Sequence, residues 1–369
     1  MILTSHKLNK LKISTPGRVC LFGEHQDYLH LPIVACAISL RISVEGIRRN
    51  DMIINIRLPN ISDEESFFID RPIVYSKERD YLKSSFKVLL KKGFTFSTGF
   101  NCVIDGQIPI NAGTSSSSAL IVTWINFLTR MSDQSEILSD ENLAHLAYEA
   151  EVLEFSEPGG MMDQYSTSIG GIIAIDFLPE LNISRLNTEL KSFVLGNSNQ
   201  PKDTKYILSH VKNQILDVDR ILKSIDPDFN LHSVKADDIN NYNNYLNKSQ
   251  NQILDGTIKN RDLTVTARKE LAKVNPDHKI IGQLLTEHHI VLRDILEIST
   301  PKIEGMINAA IKAGAFGAKI NGSGGGGCMF AYSPEEPERI KSAIQNADGE
   351  AFIILPDSGS RVEFQEKAK

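Results

Sequence analysis

Three short stretches of the chain combine small, flexible and charged residues at spacings that suit work on a phosphate group. In the first, Pro109-Ile-Asn-Ala-Gly113-Thr114-Ser115-Ser116-Ser117-Ser118-Ala119-Leu lies between a strand-like run and a helix-like one. The N–H groups of a helix's first turn have no partner inside the helix and attract anions. Gly113 can take the backbone angles of a tight loop, and small hydroxyl side chains let phosphate approach while one of them ligates Mg2+. A polyphosphate would fit this segment, although an ordinary Ser-rich capped loop fits it too.

The second stretch, Pro16-Gly-Arg18-Val-Cys-Leu-Phe-Gly23-Glu24-His25-Gln-Asp27-Tyr28, sets an arginine, two carboxylates and a histidine close together. Carboxylates accept several O–H bonds at once, which suits recognition of a polyol. The third is Gly314-Ala-Phe-Gly317-Ala-Lys319-Ile-Asn-Gly322-Ser-Gly324-Gly-Gly-Gly327-Cys328, a glycine-rich turn near the C-terminal end. Asp163, in Gly160-Met-Met-Asp163-Gln164, is a further acidic candidate. Taken alone, an Asp there also fits a helix cap, Arg18 a structural ion pair, and His25 a hydrogen-bonded packing residue. No G-x-x-x-x-G-K-[ST] loop and no H-R-D or D-F-G set occurs, which sets aside two other ATP-binding families.

Elements of both kinds are needed to carry these stretches. Short β-like runs at Arg18–Phe22, Ile33–Ile38, Ile42–Ile47 and Met52–Leu58 predict a mixed sheet. Apolar residues at helical spacing predict helices over Lys77–Lys92, Ser116–Met131 and Asp140–Phe155, the last stopped by a Pro-Gly-Gly break before another start at Met161. Strands are expected at Phe100–Ile104, Ile172–Phe177 and Cys328–Tyr332, with a helix at Pro301–Ala313. The Asn- and Gln-rich stretch 237–252 is read as a helical or loop excursion on the surface.

With 369 residues the chain exceeds one ordinary core and predicts two domains with a cleft between them. Hydrophobic residues at 41% and charged ones at 23% supply enough apolar surface to fold without staples. A formal net charge of -6, with Lys and Arg scattered, disfavours a nucleic-acid partner. The four cysteines, Cys20, Cys36, Cys102 and Cys328, form no C-x-x-C pair and read as buried thiols of a reducing compartment. The N-terminal residues lack a signal-peptide core, and apolar runs are too short to span a bilayer, so a cytoplasmic protein with no membrane partner is expected.

The three stretches, in this order, resemble the motifs of the GHMP kinases, the superfamily of galactokinase, homoserine kinase, mevalonate kinase and phosphomevalonate kinase. Residues 109–119 are similar to its P-x-x-x-G-L-S-S-S-A loop, with Thr114 for Leu and Ser118 for the first Ala. Residues 17–28 resemble the galactokinase signature G-R-V-N-L-I-G-E-H-x-D-Y with Cys20 at the Asn, and 314–328 resemble the third, glycine-rich motif. Glu151 with Gly160–Gln164, and Leu292-Arg293-Asp294 through Ser299-Thr-Pro, are similar to further galactokinase segments.

The resemblance implies an α+β, two-domain fold: a domain over 1–190 like ribosomal protein S5 domain 2, a ferredoxin-like α/β domain over 191–369, and the active site between them. It implies ATP and Mg2+ as cofactors, with Gly113, Thr114, Ser115, Ser116, Ser117 and Ser118 around the phosphates and Ser117 with Glu151 on the metal. Asp163 and Arg18 become the catalytic pair, and Glu24, His25, Asp27, Gly160, Gly322 and Gly324 the substrate contacts. The activity implied is phosphorylation of a monosaccharide at its anomeric C1 hydroxyl by a monomer or homodimer. A heptose-phosphate or uronic-acid kinase and a catalytically silent sugar sensor are the alternatives. The chain departs from galactokinases at Leu29-His30-Leu31, where N-G-G is usual, at Lys319, where Arg is common, and in lacking a Y-N-x-R element near Tyr206, all of which touch on which sugar is taken.

Overall fold

In chain order the elements are β1 (Leu8–Phe22), β2 (Ile33–Arg48), β3 (Ile53–Leu58), β4 (Asp63–Phe68), α1 (Tyr81–Lys91), β5 (Phe100–Gly106), α2 (Ser116–Met131), α3 (Asp140–Tyr148), α4 (Met162–Ile169), β6 (Ile172–Asp176) and β7 (Asn182–Arg185). There follow β8 (Phe193–Asn197), α5 (Thr204–Ile225), α6 (Lys248–Leu271), α7 (His278–Asp294), α8 (Pro301–Lys312), β9 (Gly317–Asn321), β10 (Cys328–Tyr332), α9 (Pro337–Asn346), β11 (Glu350–Ile354) and β12 (Arg361–Lys367). The structure, a computed structural model, describes residues 8–201 and 204–367.

The first sheet runs β12-β1-β2-β5-β3-β4, with β6 on the early half of β2 and β7 beside β6. The predicted runs at Ile33–Ile38 and Ile42–Ile47 are one long strand, β2, which pairs with β6 through Ile33–Cys36 and with β5 through Ile42–Arg48. A register shift between Pro16 and Gly17, opposite Ile38 to Arg41, interrupts the alternation of inward and outward residues there. That interruption makes one strand read as two.

Helices α1 and α2 bury their apolar faces against this sheet in a core that includes Phe86, Trp124, Ile125, Phe127 and Phe100. The second sheet, β11-β8-β10-β9, is antiparallel throughout. One face is covered by α8 and α9, and the other turns toward β1 and β2, where Val19, Phe22 and Cys36 join Phe193, Phe330 and Tyr332 in one cluster. The chain passes from the first sheet to the second between β7 and β8, and β12 returns to the first one and pairs with β1.

Residues 204–271 fold as α5 and α6 joined by a 3-10 turn over Ala236–Tyr245. Their core of Ile215, Val218, Leu222, Leu254 and Ile258 also takes in Leu31, with Leu29 packed against it. Leu29 and Leu31 therefore anchor this helical layer to the signature loop. Neither of them lines the cleft described below.

Candidate active site

Several pieces of backbone meet in a cleft of about 190 Å3 between the sheets, among them the end of β1, the loop before α2, the start of α4 and the glycine loop after β9. Arg18, Glu24, His25, Asp27, Gly113, Ser115 to Ser118, Glu151, Gly160, Asp163 and Gly322 all line it. Thr114 and Gly324 do not. Thr114 is buried, and its hydroxyl turns back to the Pro109 carbonyl at 3.5 Å. Gly324 has a φ of +85°, and a Cβ there would lie 2.4 Å from the Ile298 Cβ, so its smallness serves a backbone turn against α8's approach.

Arg18 sits on β1, opposite Ala37 of β2, with only 3% of its surface exposed. Its Nε and Nη2 both donate to Oδ1 of Asp163, at 2.8 and 2.6 Å, and its Nη1 donates to the Gly113 carbonyl at 2.5 Å. Burial disfavours the guanidinium's charge, but the neighbouring carboxylates of Asp163 and Glu24 outweigh it and hold Arg18 above its usual value. Asp163 is the second residue of α4, whose N-cap position belongs to Met161, so it is a partner of Arg18 and not the helix cap. Its side chain is 32% exposed, and Oδ2 takes no hydrogen bond from the described residues.

The carboxylates of the signature loop are engaged differently. Glu24, 1% exposed, pairs through Oε2 with the fully buried Lys319 at 2.5 Å and accepts the Gly322 N–H on Oε1. It acts as a strut between the signature loop and the glycine loop. His25 does the same: Nε2–H donates to the Ser323 carbonyl at 3.1 Å, so Nδ1 accepts from the Tyr28 hydroxyl at 2.9 Å.

Asp27 is open to the cleft. Its Oδ1 accepts the Tyr28 N–H at 2.9 Å and its Oδ2 the Met162 N–H at 3.4 Å. Burial, and then the charge of Asp163, push its carboxyl up to about 6, with the two N–H groups and Arg18 opposing. Gly160 lies directly on it: a Cβ there would come 2.2 Å from Oδ2.

The serine-rich loop enters α2 through Ser115, which occupies the N-cap position in the left-handed region at φ +59° and makes no capping hydrogen bond. Its buried hydroxyl has no partner among the described residues, which fits a ligand bringing its own acceptor oxygens. Glu151 faces this loop from a π-helical turn, Glu149–Leu153, inserted after α3. Turns of that kind re-aim a side chain and recur at functional sites. Burial raises the Glu151 carboxyl, while hydrogen bonds from Ser117, Ser118 and Gln164 hold it down. Among the described residues no cluster of three or more His, Cys, Asp or Glu side chains could hold a metal ion. A hard cation here would draw on Glu151 and the Ser117 hydroxyl, with phosphate and water oxygens completing its shell.

Several lining residues had no signal in the sequence. Arg79 and Glu157, which form a bidentate pair at 2.9 Å, come from loops far apart in the chain. Leu208 comes from α5, and Lys212 one turn on donates to the Pro158 carbonyl at 3.2 Å at the rim.

The family model described as GHMP kinases N terminal domain matches residues 80–171, that of GHMP kinases C terminal residues 267–351, and the galactokinase galactose-binding signature residues 6–46. The mevalonate kinase of Thermococcus onnurineus is 27% identical over 360 residues, covering 95% of this chain and 97% of its own. The galactokinase of Mannheimia succiniciproducens is 26% identical over 362 residues, covering 93% and 91%. The crystal structure of Lactococcus lactis galactokinase complexed with galactose superposes with a TM-score of 0.84 over 95% of each chain at 20% identity, a likeness of fold.

Proposed function

The chain belongs to the GHMP kinases, and from that premise we propose that it transfers the γ-phosphoryl group of ATP to the anomeric C1 hydroxyl of an uncharged monosaccharide. The observation that carries the substrate class is the charge of the cleft. Five carboxylates line it: Glu24, Glu157 and Asp163 are paired with Lys319, Arg79 and Arg18, which leaves Asp27 and Glu151 without a cationic partner among the described residues and neither lining guanidinium unpaired. An acceptor bearing its own carboxylate or phosphate would meet like charge. A neutral polyol instead finds acceptors for its hydroxyls.

In this reading the acceptor hydroxyl lies against Oδ2 of Asp163, which takes its proton as the oxygen attacks, while Arg18 fixes the carboxylate through Oδ1. Phosphoryl transfer needs positioning and charge neutralisation more than covalent help, so a rigidly held carboxylate suits it. Residues 113–118 would hold the nucleotide phosphates, and Ser117 with Glu151 would hold Mg2+, which supplies charge neutralisation at the phosphates. Asp27 accepts from sugar hydroxyls, set in place by Gly160.

The test is ADP release with Mg2+ and ATP across galactose, arabinose, fucose and mannose against galacturonate, a heptose phosphate and mevalonate. A neutral sugar should give the highest kcat/KM. If mevalonate or a charged sugar does, the substrate class is wrong. If nothing raises ADP release above background, the kinase reading falls.

A further inference from the structure

Residues 319 and 321 of β9 point to the same side of their strand, toward β1. Lys319 donates to the Cys20 carbonyl at 2.9 Å as well as pairing with Glu24. Asn321, fully buried, bridges two motifs: its Oδ1 accepts the Cys20 N–H at 2.9 Å, and its Nδ2 donates to the Gly113 carbonyl at 2.8 Å. With an N–H on one side and a carbonyl on the other, only one orientation of the amide satisfies both.

The Gly113 carbonyl thus receives two donors, Asn321 and Arg18, which use both its lone pairs. Gly113 stands at φ +86°, so its peptide is held in a conformation that glycine alone adopts readily. Across the trans peptide the Thr114 N–H points opposite to that carbonyl, away from Arg18 and Asn321. The glycine loop also leaves no slack, because a Cβ at Gly322 would lie 2.8 Å from the Gly113 carbonyl oxygen.

We infer that Asn321 is a positioning residue for nucleotide binding: it fixes the Gly113 peptide so that the loop before α2 presents its N–H groups to the nucleotide phosphates. The inference rests on the kinase reading and is separable from it. The sequence signals the flanking glycines but gives no sign of this role.

The experiment is titration of a fluorescent ATP analogue with Mg2+ into the parent protein, N321D and N321A, alongside thermal melts and KM for ATP and for the best sugar. N321D keeps the acceptor for Cys20 but loses the donor to Gly113, and N321A loses both without adding charge. Both should weaken analogue binding and raise KM for ATP by about tenfold, the worth of a lost buried hydrogen bond, with KM for sugar little changed. If the parent binds no nucleotide, the kinase reading fails instead. If N321A binds like the parent, positioning is refuted and any N321D defect is charge repulsion. A variant that loses nucleotide and sugar together, or fails to fold, assigns Asn321 to the fold and overturns the inference.

Discussion

Replacing Asp163 by Asn separates the chemistry of the cleft from its architecture. The amide keeps the shape and one acceptor oxygen for the two Arg18 donors, now at 2.8 and 2.6 Å, but removes the charge. Hydrogen bonds to charged groups are worth about 1.5–3 kcal/mol against 0.5–1.5 kcal/mol for neutral ones. Two such bonds therefore weaken by about 2 kcal/mol together, a loss felt by the fold, since Arg18 is left 3% exposed without its counter-charge. The effect on turnover is separate and larger. Loss of the proton acceptor should lower kcat by about two to four orders of magnitude, while KM for sugar and ATP moves little. Steady-state ADP release beside a thermal melt reads both. An Asp163→Asn protein that melts lower yet turns over within about threefold of the parent would make Asp163 a structural partner of Arg18 and nothing more.

Asp27 and Gly160 give two further expectations. The folded Asp27 carboxyl keeps its proton up to about 6, whereas an unfolded aspartate loses it near 4, by about two pH units earlier. The folded state therefore binds more protons in that window, and this group's contribution to stability is lost as pH rises from about 4 through 6. Urea unfolding at several pH values should show that loss, and Asp27→Asn should remove it; an identical slope in the variant assigns it elsewhere. Over the same window KM for sugar should fall as Asp27 ionises, loses its O–H donor and becomes a stronger acceptor. Gly160→Ala brings a Cβ to 2.2 Å from Asp27 Oδ2 at a position free of left-handed backbone strain. It should raise KM for sugar about tenfold and leave KM for ATP alone, and an unchanged sugar KM would detach Asp27 from substrate binding.

What the sequence discloses depends on how local the cause is. Helix α2 was legible to its ends, Ser116 and Met131, because a Ser-rich start and an apolar period are written in adjacent residues. The membership of Arg18, Asp163 and Glu151 in one site was legible only through motif order, since Arg18 and Asp163 lie 145 positions apart. The roles of Glu24 and His25 were less so: the partners that engage them, Lys319 and Ser323, come from nearly the other end of the chain. Nothing local marks Leu31 as the seat of a helical layer, or α5 as a wall of the cleft, because both follow from tertiary burial of residues with no distinctive pattern.

The position of β12 bears on how the chain reaches this state during synthesis. Strand β1, which carries Arg18, has β12 as its outer neighbour, in a register joining Leu8 to Lys367 and Ser14 to Arg361. Just before it, Pro356 and Ser358 bridge to Ile38 and Gly170, and Ser360 bonds Thr15 and Asn126. While the ribosome is still adding residues, β1 must wait with one edge unpaired until Arg361–Lys367 emerge, a long-range closure of the kind that slows folding, by orders of magnitude at the extreme. A chain interrupted before Arg361 would carry all three motifs and still lack the strand that covers the outer edge of β1.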